Sequence, residues 1–250
     1  MNLNDQAAIV TGSGSGMGAA FAERFAKAGI TGLTIADVNI EAAGKVAEDL
    51  SSRYDCEALP LAVDVSDPDQ VETMAAKTAE QFGRIDILIN NAGICPMVSW
   101  EDTTLEDWNK ILQVNLTGPF LCTKAVAPHM QKRQYGRIIY MSSLAGFTGS
   151  IVASVAYGVS KGGLIPLMKS VAKKYAADGI LVNAVAPGSV DTPMTGSFGE
   201  DGARQLREAA LLKRQATPEE LADTILFLVS DQSSYVTGAT LHVNGGALLV

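Results

Sequence analysis

The feature that most constrains this chain is a short apolar run that ends abruptly in a glycine-rich loop. Ala7-Ala8-Ile9-Val10 leaves no room for a helix before Thr11-Gly12-Ser13-Gly14-Ser15-Gly16-Met17-Gly18, so it predicts a buried strand. The amphipathic stretch that follows, to about Ala28, predicts a helix. Strand, glycine loop and helix in that order form the context of a dinucleotide fingerprint. Glycines let the backbone turn tightly and approach a pyrophosphate, whose charge then meets a helix N-terminus. A glycine loop alone is also compatible with a plain turn. Leu33-Thr34-Ile35-Ala36-Asp37 predicts a second strand, ending in a carboxylate about 20 residues past the loop, where an acid can hold ribose hydroxyls. A helix N-cap is the other role open to Asp37.

The alternation continues. Ile40 to Tyr54 predicts a helix, and Ala58 to Val63 a strand ending at Asp64-Val65. Asp67 to Phe82 predicts a helix with Pro68 at its start, where proline is tolerated. Ile85 to Ile89 is almost continuously apolar, as a parallel strand covered on both faces should be, and it ends in Asn90-Asn91-Ala92-Gly93. Leu105 to Met130 predicts one long helix bent near Pro119; Asn115 inside it is unfavourable by propensity and marks a local function or kink, with simple solvation as the plain alternative. Gly136 to Tyr140, Ile180 to Ala186 and Thr240 to Val243 predict strands, and Leu221 to Val229 a helix. Ser189 to about Leu212 lacks strong periodicity and carries Pro193, Gly196, Gly199 and Gly202, so it predicts a substrate lid, about 189–212. The pattern as a whole predicts a single α/β domain over 1–250. Its core is a Rossmann-type doubly wound parallel sheet flanked by helices on both faces. Residues of about 1–135 form a cofactor half and residues of about 136–250 a catalytic and substrate half.

Composition excludes several partners. A chain of 250 residues, 47% hydrophobic, can bury one large core. A net charge of −8 argues against nucleic acid or an anionic membrane as partner, and no apolar stretch approaches the ~18 residues needed to cross a bilayer. Cys56, Cys95 and Cys122 are widely spaced, and neither they nor any cluster of His and acids has metal-ligand spacing, so no metal is predicted. Unpaired cysteines and the lack of a signal-peptide pattern around Asp5 predict a cytoplasmic protein.

Tyr157-Gly158-Val159-Ser160-Lys161 sets a phenol and an ammonium one helical turn apart on the same face. The run from Ala156 to Ala172 reads as a largely buried helix. A free tyrosine titrates near a pKa of about 10. A cation one turn away is expected to lower that value and yield a proton donor and acceptor near neutral pH. A core tyrosine beside a surface lysine is the plain alternative, and these five residues alone do not choose between them.

The motifs Thr11-Gly12-x-x-x-Gly16-x-Gly18, Asn90-Asn91-Ala92-Gly93, Asn115, Ser142-Ser143, Tyr157-x-x-x-Lys161 and Pro187-Gly188 run in one order over nearly the whole chain. Together they resemble the short-chain dehydrogenase/reductases of the single-domain type. The resemblance implies a nicotinamide cofactor and interconversion of a secondary alcohol and a ketone. It implies that Gly12, Ser15, Gly16, Met17 and Gly18 shape the cofactor loop, and that Asp64 and Val65 contact the adenine. It further implies that Asn90, Asn91, Ala92 and Gly93 line the cofactor bed. Pro187, Gly188, Val190 and Thr192 fall at the nicotinamide end, with Thr192 binding the carboxamide. Tyr157 is implied as the acid–base residue, with Lys161 lowering its pKa and holding the nicotinamide ribose. Ser143 is implied as the hydrogen-bond donor to the substrate oxygen, and Asn115 as part of a proton relay to Lys161. Ser143 lies one residue further from Tyr157 than in many members, so the segment 147–155 is expected to carry an extra loop residue. The closing Asn244-Gly245-Gly246 implies a homotetramer, and the apolar end Ala247-Leu248-Leu249-Val250 agrees with burial between subunits.

Successive side chains of a strand face opposite sides, so Ser142 and Ser143 are not both expected to point at Tyr157; Ser143 is the one expected to. Asp37, with no Arg or Lys between Thr11 and Met17 or directly after it, predicts NAD rather than NADP. A pocket wall of Ile94, Cys95, Met97, Val98, Leu144, Val152 and residues of the lid predicts a small-molecule alcohol or ketone with an apolar part. Arg204, Arg207, Lys213 and Arg214 read as solvated, Trp100 and Trp108 as packing, and His129 and His242 carry no catalytic role. Two other readings stand beside the general secondary-alcohol enzyme. One is a 3-ketoacyl-[acyl-carrier-protein] reductase, against which Asp178 and the acidic surface speak. The other is a non-catalytic NAD-binding regulator, which typically lacks the tyrosine or lysine present here.

Overall fold

The structure, a computed structural model, describes residues 1–150, 153–196 and 198–250. β1 (Ala7–Thr11) is buried at every position and lies between β2 (Gly32–Asp37) and β4 (Ile87–Asn90), parallel to both. β3 (Glu57–Ala62) extends the sheet beyond β2, and β5 (Gly136–Met141), β6 (Ile180–Pro187) and β7 (Thr240–Val243) extend it beyond β4. Among the described residues the sheet has seven parallel strands in the order β3-β2-β1-β4-β5-β6-β7. The order reverses between β1 and β4. Such a switch point opens a crevice outside the carboxyl ends of the strands, where ligands bind in doubly wound sheets.

Both faces are covered. On one, α1 (Gly16–Lys27), α2 (Ile40–Arg53) and α10 (Pro218–Val229) bring Phe21, Phe25, Leu50 and Ile225 against Val10, Leu33 and Ile139. On the other, α3 (Pro68–Phe82), α5 (Gly118–Arg133) and α7 (Val155–Tyr175) bring Met74, Met130, Leu164 and Met168 against Ile9, Leu88 and Ile138. The near-continuous apolar runs of the central strands follow from this double burial. Caps set where the helices begin. The Asp67 carboxylate accepts the N–H groups of Asp69 and Gln70 ahead of Pro68, and Asn39 caps α2 by accepting the Ala42 N–H. Asn39, not Asp37, is therefore the cap, and the Asp37 carboxylate stands at the crevice instead. Among the described residues no helix is long and apolar enough to cross a membrane.

Two expectations need correction. The predicted helix 105–130 is two helices, α4 (Leu105–Leu112) and α5, joined by a widened π-type turn over Gln113–Thr117. The break therefore falls at Asn115. Pro119 sits in the first turn of α5, directly after the π-type turn, and gives that turn's carbonyls no N–H. The segment 189–212 is not an irregular loop. After α6 (Ala145–Thr148) and α7, it forms α8 (Pro193–Gly196) and α9 (Gly199–Ala209), the latter with Glu200 and Asp201 in its first turn and an Asp201–Arg204 ion pair at 2.7 Å. Acidic residues at a helix start and basic ones a turn later are a helical signal that the flanking glycines obscured.

Candidate active site

Thr11 ends β1, and its hydroxyl joins the loops after β1 and β4. It donates to the Ile89 carbonyl (3.1 Å) and accepts the N–H groups of Asn91 (3.0 Å) and Ala92 (3.1 Å). Gly12 follows at φ +64°, where a Cβ would also stand 2.8 Å from the Ala92 Cα, so only glycine lets the two loops meet. The cleft beside them measures about 380 Å³ and is lined by Gly12, Ser15, Gly16, Met17, Asp37, Asp64, Val65, Asn91, Ala92, Gly93 and Thr192, with Val38, Val63, Ile94, Lys110 and Val114. Gly18 lies behind this lining, buried in the first turn of α1.

Three features of the cleft fit a dinucleotide. Helix α1 opens on Ser15, which makes no side-chain cap, and has no acid in its first turn, so its amide groups meet an incoming phosphate without competition. The Asp37 carboxylate is held by the N–H groups of Gly14 (2.9 Å) and Asn39 (3.0 Å) at the cleft. The Asn91 side chain gives its amide to the carbonyls of Thr11 and Gly12, while its Oδ1 is buried and without a partner among the described residues. A buried orphan acceptor is costly unless a ligand satisfies it.

Asn90, expected on the cofactor bed, points the other way. It is buried and directed at Thr123 Oγ1 (3.5 Å), which is bound in turn to the Tyr140 hydroxyl. It is the last residue of β4, and alternation along the strand sends Asn91 rather than Asn90 to the cleft.

Beyond Gly93 the cleft continues into a smaller cavity of about 80 Å³, lined by Met17, Asn91, Met141, Ser142, Ser143, Tyr157, Lys161, Pro187, Gly188, Val190, Thr192, Met194 and Thr195. Tyr157 and Ser143 both line it, and the Ser143 hydroxyl accepts the Ala145 N–H (3.2 Å). Ser142 is turned away, its hydroxyl donating to the Lys161 carbonyl at 2.8 Å. Lys161 is buried with its ammonium donating to the Met141 carbonyl (2.8 Å), beside Gly93. A Cβ on Gly93 would stand 3.3 Å from Lys161 Nζ and 3.2 Å from Asn115 Oδ1, so a side chain there would crowd both groups. Asn115, in the π-type turn, holds the Ile94 backbone from both sides, accepting its N–H (2.8 Å) and donating to its carbonyl (2.9 Å).

The expected effect of Lys161 on Tyr157 does not hold in the cofactor-free protein. Burial pushes the phenol above its ordinary value, opposed by the neighbouring Ser143 hydroxyl, and burial lowers Lys161 to about 8. Desolvation outweighs the cation because the ammonium is drawn to the Met141 carbonyl.

The pocket wall also differs from expectation. Ile94 lines the larger cleft, Met97 is half exposed, and Leu144 lines a separate cavity of about 120 Å³ beside α9. Cys95 is half-buried within electrostatic reach of Lys161, with its thiol pushed up to about 11 by burial. Val152 lies outside the described residues, as does part of the segment 147–155. Met194 and Thr195, from the expected lid segment, line the cavity beside Tyr157 as α8, and Met141 at the end of β5 joins them. Trp100 is exposed rather than packed. Arg214 pairs with Glu220 (2.6 Å), and the Lys213 ammonium donates to the Glu208 carbonyl, as solvated residues do.

A doubly wound parallel sheet with a tyrosine–lysine helix at its crevice defines a dinucleotide-dependent oxidoreductase fold. Comparison with known proteins agrees. The family model described as enoyl-(acyl carrier protein) reductase matches residues 12–247. The chain is 40% identical to the 3-oxoacyl-[acyl-carrier-protein] reductase FabG of Aquifex aeolicus, over 98% of both chains. It is 36% identical to the meso-2,3-butanediol dehydrogenase of Serratia marcescens, over 99% of this chain and 96% of that one. Among solved structures, a short-chain type dehydrogenase/reductase from Mycobacterium marinum superposes with a TM-score of 0.95 at 32% identity, covering 100% of this chain and 98% of that chain. The protein belongs to the short-chain dehydrogenase/reductase family and is an oxidoreductase of that family.

Proposed function

We propose that the protein is a nicotinamide-dependent reductase that interconverts 3-oxoacyl thioesters and their 3-hydroxy forms. The observation that carries this reading is the placement of Ser143, Tyr157 and Lys161 around one small cavity opening from the dinucleotide cleft. The acyl class is supported by the full-length relatives named 3-oxoacyl-[acyl-carrier-protein] reductase, at 40% and 38% identity. From the sequence alone a general secondary-alcohol dehydrogenase ranks higher, and these relatives reverse that order. Asp178, which speaks against an acidic carrier, is engaged by the Gln131 side chain at 2.8 Å on the surface.

The nicotinamide group, when bound, supplies the hydride. In reduction Tyr157 donates its proton to the carbonyl oxygen while Ser143 donates a hydrogen bond to the same oxygen. Lys161 orients the ribose hydroxyls from beside Gly93 and returns a proton to Tyr157, with Asn115 in the relay behind it. Gly12, Ser15, Gly16, Met17 and Gly18 form the pyrophosphate loop, and Asp64 and Val65 flank the adenine. Asn91, Ala92 and Gly93 line the bed, and Pro187, Gly188, Val190 and Thr192 close the nicotinamide end. The cofactor half is then 1–135 and the catalytic half 136–250, with α8 and α9 as the lid. Asp37, already held by two backbone amides, repels a 2′-phosphate, so the cofactor is NAD. The protein works as a homotetramer, which covers the exposed Leu211, Leu212, Leu249 and Val250.

A second reading, oxidation of a short vicinal diol, has its own support in the similarity to a butanediol dehydrogenase and in the small volume beside Tyr157. Assays with acetoacetyl-coenzyme A and with 2,3-butanediol, each with both nicotinamide cofactors, separate the two. Turnover of the thioester supports the proposal. Turnover of the diol with none of the thioester overturns it.

A further inference from the structure

Lys161 is gripped at both ends by consecutive residues of one strand and its exit. Its ammonium donates to the carbonyl of Met141 at 2.8 Å, and its own backbone carbonyl accepts the hydroxyl of Ser142, also at 2.8 Å. Met141 is the last residue of β5, and Ser142 is buried as the chain leaves it, its N–H donating to the Val185 carbonyl at 2.8 Å. Ser142 is thus fixed to the sheet before it reaches α7. Five residues past Lys161, α7 contains Pro166, which lacks an N–H and so removes one hydrogen bond of the ladder just beyond this point. A helix weakened there gains most from an anchor at Lys161. The side-chain hydroxyl of Ser142 provides one from outside the helix.

We infer that Ser142 is a positioning residue for Lys161: its hydroxyl holds the α7 backbone at the depth that sets the lysine ammonium between the Met141 carbonyl and the cofactor cleft. This rests on the proposed function, in which Lys161 faces a nicotinamide dinucleotide. The Ser142 hydroxyl does not reach the substrate oxygen in this role, since its proton is committed to the Lys161 carbonyl. Tyr157 on the same helix, Asn115 on the π-type turn and Cys95 on the loop after β4 are polar or titratable groups near the ammonium among the described residues; Cys95, its thiol pushed up to about 11 by burial, keeps its proton from pH 6 to pH 10. Without the Ser142 hydroxyl the backbone at Lys161 relaxes, and the ammonium shifts relative to Met141 and Gly93.

The test is NADH binding, followed by fluorescence from pH 6 to pH 10, for the wild type, Ser142→Ala, Ser142→Thr and Lys161→Met, with melting temperatures recorded alongside. The expected wild-type result is affinity that falls as Lys161 loses its proton, and no such fall in Lys161→Met. Ser142→Ala is expected to weaken binding roughly three- to tenfold, the usual range for one lost hydrogen bond, and to move the midpoint of the pH dependence. Ser142→Thr keeps the hydroxyl and is expected to restore both. If Ser142→Ala binds with wild-type affinity and midpoint, the inference is overturned while the cofactor reading stands. The inference also falls if Ser142→Ala and Ser142→Thr lose affinity equally while both melt like the wild type. A wild type whose NADH affinity ignores the protonation of Lys161 overturns the reading of Lys161 itself, and the inference with it.

Discussion

The Lys161 ammonium lies 5.9 Å from the centroid of the Tyr157 ring and is bound not to the phenol but to the Met141 carbonyl. The two groups share a helix face, as their spacing requires, yet burial dominates both. It raises the phenol and lowers the lysine, so neither is charged by the other in the cofactor-free protein. Raised above its ordinary value, the phenol keeps its proton, as a donor for reduction of a carbonyl must.

Tyr157→Phe removes the transferable proton and keeps the ring. Turnover is expected to fall by about 10²–10⁴-fold, the usual contribution of general acid–base catalysis. Cofactor affinity should change little, because the ring still packs in α7. Steady-state kinetics beside a binding titration measure both, and near-normal turnover contradicts the proposed mechanism.

The two serines separate by what their hydroxyls touch. Ser143→Ala removes the donor beside Tyr157, a loss that typically costs ~10²–10³ in kcat. Ser142→Ala loses only the anchor on the Lys161 carbonyl and should cost far less. Measuring kcat for both variants decides the assignment, and the reverse ranking refutes it.

Cofactor preference follows from Asp37. The wild type should show higher kcat/KM with NAD(H) than with NADP(H), and Asp37→Ser should narrow the gap by removing the charge that faces a 2′-phosphate. Lys110 is the cation lining the same cleft. If the wild type prefers NADP(H), Lys110 outweighs Asp37 and the assignment falls.

Stability should depend on pH through Lys161. Its folded value, about 8, lies below the ordinary lysine value of 10.5, so between these two the unfolded chain binds more protons. By linkage, stability then rises with pH across that window, and below pH 8 the buried ammonium carries its full cost. Lys161→Met should therefore raise the stability of the cofactor-free protein at pH 7, by at most about 3 kcal/mol, and by much less near pH 10. Denaturant melts at the two pH values measure the difference; an equal effect at both contradicts it.

Leu249 and Val250 are 77% and 89% exposed in the single chain. Light scattering should report a tetramer at micromolar concentration, and truncation after Gly246 should weaken it. A monomeric full-length protein would remove the argument from the apolar terminus.

Much of this molecule was determined locally. Short apolar runs of period-free character, bounded by glycine or by capping acids such as Asp67, specify parallel strands and the helices between them through propensity and burial that act over a few residues. The glycine loop, Asp37 and the Tyr157–Lys161 spacing were legible for the same reason, since each is a local pattern with one geometric consequence. Tertiary structure decided the rest, because it depends on groups distant in sequence. The widening of helix 105–130 at Asn115 was half legible, since asparagine is a poor mid-helix residue, but its two bonds to Ile94, 21 residues away, exist only in the fold. Asn91 rather than Asn90 faces the cleft because Thr11 of β1 fixes the end of β4. The Met141 carbonyl and the Ser142 hydroxyl meet Lys161 only once β5 and α7 are packed, and the pKa values of that centre follow from burial. Backbone carbonyls carry no sequence signal, and desolvation is a property of the assembled core.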